Sequence, residues 1–316
     1  MVKIVIAGGS GEVAQEIIAT LMATRKHDIT ILSRKEVAAQ DDNQHSVKWL
    51  QVNYHSKDEL VTVLRGVHTV LSFIQLLRDP GNKAQKNLID AAIMAGVKRF
   101  APSEWGSRSG AGMPWWTGKD EIKEYLKKVN ENGKVLEYCL YQPGLFLNYL
   151  ATPHKTSKHL TPLNTFIDPH NRRAVVVEGH DPIVTFTTVQ DLAAVVAQAV
   201  DFEGEWPVVG GIRGNSLPVS KIIEIVEQVR GPFTVDAVNL EDLEAGNLKT
   251  SWKLEARHPS VSDEEAANML KGVFVGMLLS SVKGAWEISD EWNQQLPHYK
   301  FTDLKQFLDE VWQGKP

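Results

Sequence analysis

The sequence predicts an α/β fold, a doubly wound parallel sheet with a smaller, helix-rich C-terminal lobe. Three observations carry this expectation. Six short apolar or β-branched runs alternate with helical patterns as far as residue 142. A glycine-rich loop separates the first run from the first helix. The alternation then breaks after residue 150, where Pro153, Pro162, Pro169 and Pro182 punctuate an irregular stretch.

The elements follow in order. Val2 to Ala7 is a β-branched run typical of a buried strand. Gly8, Gly9 and Gly11 come next, and Val13, Ile17, Ile18 and Leu21 recur at helical spacing. Asp28 to Ser33 and Val47 to Val52 read as the second and third strands. Ser56-Lys57-Asp58-Glu59 has the capping-box pattern and opens a helix through Leu60, Val63 and Leu64. Val67 to Phe73 is the fourth strand, and Pro80 starts a helix that stops at Gly96. Val97 to Ala101 is the fifth, a helix spans about Thr117 to Asn132, and Val135 to Gln142 is the sixth. Later, Val184 to Thr188 and Trp206 to Val209 read as strands, with Asp191 near the start of a helix. The remainder is helix-rich and carries Trp252, Trp286, Trp292 and Trp312. We expect a ligand-binding domain over 1–150, to which 184–211 returns. Residues 151–183 and 212–316 are expected to form a second lobe over the strand ends, where such sheets bind ligands.

Composition narrows the function. The 316 residues are 43% hydrophobic and 23% charged, ordinary for a globular chain. The net charge of −5 gives no footprint for nucleic acid. One cysteine, Cys139, allows no internal disulfide and implies a reducing compartment. No targeting segment is visible at the start, and Val273 to Leu279 is too short to span a bilayer. A cytoplasmic protein with no membrane partner is therefore expected, as a monomer or a homodimer. The ten histidines show no metal-ligand spacing, so no metal is expected.

The loop Gly8-Gly9-Ser10-Gly11-Glu12-Val13-Ala14 fits G-x-x-G-x-x-A between strand and helix. Such glycines let backbone N–H groups approach a pyrophosphate. The second strand ends in Arg34-Lys35, where an NAD-binding chain usually carries an acid for the ribose hydroxyl. A guanidinium there suits a 2′-phosphate by charge and by fork geometry. These residues point to a Rossmann-type domain binding NADP(H).

Arg99-Phe100-Ala101-Pro102-Ser103-Glu104-Trp105-Gly106, Trp115-Trp116-Thr117-Gly118-Lys119 and Tyr141-Gln142-Pro143-Gly144-Leu145-Phe146 then carry a resemblance. With the glycine loop, they make the chain similar to the isoflavone-reductase-like, NmrA-like atypical short-chain dehydrogenase/reductases, especially their fungal branch. The resemblance runs nearly the whole length. It implies NADP(H) in the N-terminal domain, a substrate lobe behind it, and a lysine at the start of the helix after the fifth strand. That lysine is Lys119, with Lys123 the second candidate. Ser103 falls near the helper serine of the larger dehydrogenase family. The Tyr-x-x-x-Lys of that family is Trp115-x-x-x-Lys119 here, and an indole cannot donate an acidic hydroxyl proton.

Expected chemistry is hydride transfer to an aromatic or polycyclic small molecule, at a conjugated C=C, imine or benzylic-type carbon. Lys119 supplies a proton or stabilises negative charge, which needs a lowered pKa. It can alternatively only bind the cofactor ribose. Phe73 and Gln75 can line the cofactor groove; Pro143, Gly144 and Phe146 follow the sixth strand, with N–H donors from Gly144 onward. Trp115, Trp116, Phe146 and Tyr149 can stack on a flat substrate or serve as core. Glu104 beside the cleft can orient Lys119, and Met113 with Gly110 and Gly112 reads as a mobile flap. Two other functions stay open: a non-redox isomerase or cyclase that retains NADP, and a redox-sensing regulator without catalysis.

Overall fold

β1 (Val2–Ala7) lies in the middle of a six-stranded sheet in the computed structural model, which describes residues 2–35, 47–108, 110–252 and 263–315. On one side stand β2 (His27–Ser33) and β3 (Lys48–Gln51). On the other stand β4 (Thr69–Ser72), β5 (Arg99–Ala101) and β6 (Glu137–Tyr138). The order β3-β2-β1-β4-β5-β6 is parallel throughout. The winding reverses between β1 and β4, so a crevice opens at their carboxyl ends. Alternate residues of β1 face opposite layers. Ile4 and Ile6 pack with α1 (Glu12–Thr24) and α5 (Val189–Asp201). Val5 and Ala7 pack with α2 (Lys57–Leu64) and α3 (Lys83–Met94).

Local chemistry sets the helix ends. Ser56 Oγ accepts from Glu59 N at 3.4 Å, but Glu59 Oε1 accepts from Asn53 N at 3.1 Å rather than closing back onto Ser56. Pro80 does not open α3 directly. Pro80–Asn82 is a separate short turn, with Gly81 and Asn82 at φ +68° and +56°. The helix begins at Lys83, where the Asp79 carboxylate accepts from Ala84 N at 2.8 Å and Gln85 N at 3.0 Å.

The sixth run divides. Cys139 N still donates to Phe100 O, but Leu140 N turns to Val208 O, and β7 (Leu140–Gln142) pairs with β12 (Val209–Gly211). Trp206 lies before that strand rather than in it, fully buried, its indole N–H donating to Ala199 O at 2.7 Å.

Past residue 142 two small sheets form, and of their strands only the one read as Val184 to Thr188 was expected from the sequence. One orders β14 (Thr234–Val238), β10 (Arg173–Val177) and β9 (Ile167–Asp168). The other orders β13 (Asn215–Pro218), β11 (Ile183–Thr187) and β8 (Leu145–Phe146). They are two to five residues long; β8 and β9 are buried throughout, whereas β13 is half-buried and only Val238 of β14 is buried, so no clean alternation marks them. Helices α6 (Val219–Arg230), α7 (Leu240–Glu244), α8 (Asp263–Val282), α9 (Glu291–Gln295) and α10 (Leu304–Trp312) complete the chain, with α4 (Thr117–Val129) back in the first half. No helix among the described residues is long and apolar enough to cross a membrane.

The second core gathers Leu147, Val184, Phe186, Val219, Trp286 and Leu304. Phe146, Val189, Ile212 and Trp292 instead pack with the first-half layer under α1. The chain therefore passes between the two cores near residues 146, 188, 215, 289 and 303.

Candidate active site

The glycine loop is built for a close backbone approach. Gly8 has φ +75°, and a Cβ there would stand 2.7 Å from Phe73 O. A Cβ on Gly9 would stand 2.5 Å from Ile31 Cγ2. Gly11 N donates to Gly8 O at 3.2 Å, and Gly11 is the N-cap of α1. No side chain caps the first amides of that helix, which leaves them to a ligand or to water. Ser10 is exposed and Val13 half-buried. Glu12 has another occupation: its carboxylate accepts from Thr161 N at 2.9 Å and Thr161 Oγ1 at 2.6 Å, tying the loop to the second half of the chain.

Arg34 is exposed at the end of β2 and lines a cavity of about 720 Å³ with Asn53, Tyr54, Arg78 and Lys83. Lys35 is exposed and not among the lining residues. Gln75 is exposed just past β4.

The ends of β4, β5 and β7 converge beside the glycine loop. Gln85 Oε1 accepts from both Ser72 Oγ at 2.8 Å and the Ser103 backbone N–H at 3.0 Å, which fixes the Ser103 main chain beside the end of β4. Trp105, held at φ +43°, donates from its indole to Ser72 O at 2.7 Å. Its ring stacks on Phe73 at 4.4 Å and on Tyr141 at 5.2 Å, and Tyr141 stacks on Trp292 at 5.7 Å. Gly106 O accepts from Gly144 N at 3.1 Å. The Gly144 N–H expected for the cofactor is thus already engaged, because the loops after β5 and β7 pair with each other.

Lys119 stands in the first turn of α4, 7% exposed. Its ammonium donates to Glu104 O and lies 3.7 Å from the Trp116 ring centroid. A Cβ on Gly106 would stand 3.0 Å from Trp116 Cη2, so Gly106 leaves room for the indole that covers Nζ. Burial lowers the pKa of Lys119 to about 8; the Glu104 charge opposes this, and Lys123 adds to it. The positive end of α4 acts in the same direction. Glu104 is itself buried, 2% exposed, and burial raises its pKa against the pull of Lys119 and Lys123. Lys123 Nζ reaches Glu104 Oε2 at 3.4 Å, Asp120 Oδ1 at 3.1 Å and Arg108 O at 3.2 Å. Lys123 therefore serves the network, and Lys119 is the lysine whose proton is easily lost. Glu104, expected beside an open cleft, lies beneath these two lysines.

The aromatic candidates separate. Trp116 caps Lys119 and meets Trp286 at 5.8 Å. Trp115 reaches α8 at Gly276, which leaves room for the tip of its ring; a Cβ there would stand 2.1 Å from Trp115 Cη2. Phe146 is buried, edge-on to the half-buried Tyr149 at 5.6 Å. Met113 is 1% exposed within the second core. A Cβ on Gly112 would stand 2.8 Å from Ser280 N, so the stretch expected as a mobile flap is packed on α8. Asp191 serves helix entry, accepting from Thr188 Oγ1, Tyr299 OH and Thr302 N. Cys139 is buried, its thiol pKa raised by burial, and accepts from Trp292 Nε1 at 3.4 Å.

Sequence reasoning missed Gln85 and Asn82. Asn82 Nδ2 donates to Gly118 O at 3.1 Å and Glu121 Oε2 at 2.9 Å, locating the start of α4 and hence Lys119. The Pro-Gly-Asn turn before α3 was the available signal. Among the described residues no group of three His, Cys, Asp or Glu side chains could hold a metal ion.

Comparison with known proteins finds the same fold and relatives along the whole length. The model of the NmrA-like family matches residues 2–248. The oxidoreductase swnN of Metarhizium robertsii is 25% identical, covering 99% of this chain and 98% of its own. Among solved structures, the NADPH-dependent quinone oxidoreductase QOR2 of Escherichia coli, complexed with NADPH, superposes with a TM-score of 0.69. It is 21% identical over 98% of this chain and 99% of that one. The triphenylmethane reductase of Citrobacter sp., complexed with NADP(H), gives a TM-score of 0.67 at 16% identity, over 98% of this chain and 99% of that one.

Proposed function

The chain belongs to the NmrA-like family, and from that premise we propose that it is an NADPH-dependent reductase of an aromatic or polycyclic small molecule. The observation that carries the reading is Lys119, a buried lysine whose pKa burial lowers to about 8, joined to the glycine loop by a chain of contacts. Phe73 touches the loop at Gly8, Trp105 stacks on Phe73, and the neighbours of Trp105 hold Lys119. The oxidoreductase names of the relatives support the reaction class. The quinone and triphenylmethane reductases support flat aromatic substrates.

The residues fit the cofactor. The uncapped α1 amides and the cradle at Gly8 and Gly9 suit a pyrophosphate, and Arg34 suits a 2′-phosphate. Residues 1–150 with the returning segment are the cofactor domain; 151–183 and 212–316 shape the substrate side. NADPH supplies a hydride when bound. Lys119 Nζ supplies the proton, from an ammonium whose low pKa makes donation efficient near neutral pH. Trp116 caps that ammonium, so a flat substrate can take the indole's place over Nζ, exchanging one π face for another. Glu104 and Lys123 fix the local charge.

Titration of the wild-type and Arg34→Ala proteins with NADPH and NADH tests the cofactor half. We expect wild type to bind NADPH and Arg34→Ala to bind it more weakly; failure to bind either nucleotide refutes the reading. Turnover of quinones and polycyclic dyes, followed by NADPH consumption, tests the other half. Product without consumption would identify an isomerase or cyclase instead. Full turnover by Lys119→Ala would remove the lysine from the chemistry.

A further inference from the structure

Gln85 is a long polar side chain on the buried face of α3, among Ala84, Leu88 and Ile89, and it is 1% exposed. An amide in such a place needs partners. Its Oε1 has two lone pairs and uses both, accepting from Ser72 Oγ at 2.8 Å and from Ser103 N at 3.0 Å. Its own backbone N–H is held by Asp79 Oδ2 at 3.0 Å, so main chain and side chain are both fixed. Ser72 is fully buried at the end of β4, and its carbonyl accepts from Trp105 Nε1 at 2.7 Å. Ser103 and Trp105 are therefore both pinned to the end of β4. Glu104 stands between them, its N–H donating to Pro102 O at 2.8 Å and its carbonyl receiving the Lys119 ammonium. On the far side Asn82, three residues before Gln85, holds Gly118 O in the turn that carries the lysine. One capped helix start thus reaches both sides of Lys119.

We propose that Gln85 is a positioning residue for Lys119: by holding Ser72 and Ser103 on one oxygen, it fixes the Glu104 carbonyl that anchors the ammonium and so aims the proton the lysine donates. Its part in turnover rests on the reductase reading above; its part in placing the lysine rests on the hydrogen bonds alone. Without the amide oxygen, Ser103 N–H and Ser72 Oγ are buried donors with no acceptor, and the loop gains by opening to water. The ammonium then loses a fixed acceptor, and a misplaced donor transfers its proton more slowly.

The test labels the full chain with trace acetic anhydride at fixed alkaline pH and reads each lysine by mass spectrometry. Lys119 is compared with the exposed Lys127, and iodoacetamide on the buried Cys139 reports any loosening of the sheet. Wild type, Gln85→Met, Gln85→Glu and Ser72→Ala are compared. We expect Gln85→Met to raise labelling of Lys119 relative to Lys127 about tenfold, with Cys139 still unreactive. Ser72→Ala leaves Ser103 N–H held and should raise it about threefold. Gln85→Glu keeps an oxygen that accepts both donors and should label as wild type does. With a quinone as substrate, Gln85→Met should lower kcat about tenfold and leave KM for NADPH within about twofold. Wild-type labelling of Lys119 in Gln85→Met overturns the proposal. So does Gln85→Glu labelling like Gln85→Met, and so does Cys139 reacting in step with Lys119, since Gln85 is then a support of the whole sheet. Raised labelling with unchanged kcat overturns the role in turnover. If Gln85→Met does not fold, Ser72→Ala decides by the same two labels. A wild type that consumes no NADPH with any quinone or dye overturns the reductase reading, while the labels still decide what places Lys119.

Discussion

Replacing Lys119 by Met should change how stability depends on pH in a calculable way. Burial lowers this lysine from its usual 10.5 to about 8. At about 1.4 kcal/mol per pH unit, that difference corresponds to about 3 kcal/mol of proton-linked free energy. The sign follows from which state holds the proton. Below pH 8 the lysine is charged in both folded and unfolded chains, so the cost of burying the charge is present in full. From about 8 to 10.5 the folded chain binds fewer protons than the unfolded one, and stability rises with pH. Above 10.5 the amine is neutral in both states and the cost is gone. K119M has no such term. Its stability relative to wild type should therefore fall by about 3 kcal/mol between neutral pH and about pH 10.5. Lost contacts to Glu104 O and to the Trp116 ring shift both ends of that difference and leave the slope. Urea unfolding of both proteins across this range measures it, and tyrosines and surface lysines cancel in the comparison. Parallel curves would refute a buried lysine with a lowered pKa and, with it, the main support for a proton donor at this position.

Three further outcomes are expected. Glu104→Gln removes the charge that holds the Lys119 pKa up, so the alkaline limb of the pH–activity profile should move to lower pH; an unmoved limb would separate Glu104 from the donor. Trp116→Ala opens Lys119 to water, and the same limb should move to higher pH with KM altered by the lost π face. Gly144→Ala places a Cβ against Thr185 O in a backbone at φ +78°, and should cost at least about 2 kcal/mol of stability by urea unfolding.

The parallel sheet was legible because the β1 run is buried from Ile4 to Ala7 and β4 throughout, while β2 still shows Ile29, Ile31 and Leu32 as its buried residues. The glycine loop was legible because its geometry requires glycine at Gly8. The division of the sixth run at Cys139 was not, since a change of pairing partner leaves an apolar pattern intact. In the small sheets β11 was legible as a β-branched run, but its partners and the other sheet were hidden because those strands are two to five residues long and partly polar. At the site, Lys119 was found through the family resemblance, which implies a lysine at the start of the helix after the fifth strand. Its burial under Trp116, the capture of Gly144 N–H by Gly106, and the removal of Met113 into the core depend on contacts between segments far apart in the chain.

The repeated passage of the chain between the two cores constrains how a substrate can enter. Segments near residues 146, 188, 215, 289 and 303 all act as straps across the same boundary. A single hinge cannot open a body sewn at so many points, because every strap would have to bend at once. Under the proposed function, a substrate would reach Lys119 by displacing the side chain that covers it, the indole of Trp116. By the same token, a protease nick in any one strap should leave the halves joined and the protein migrating as one particle under native conditions.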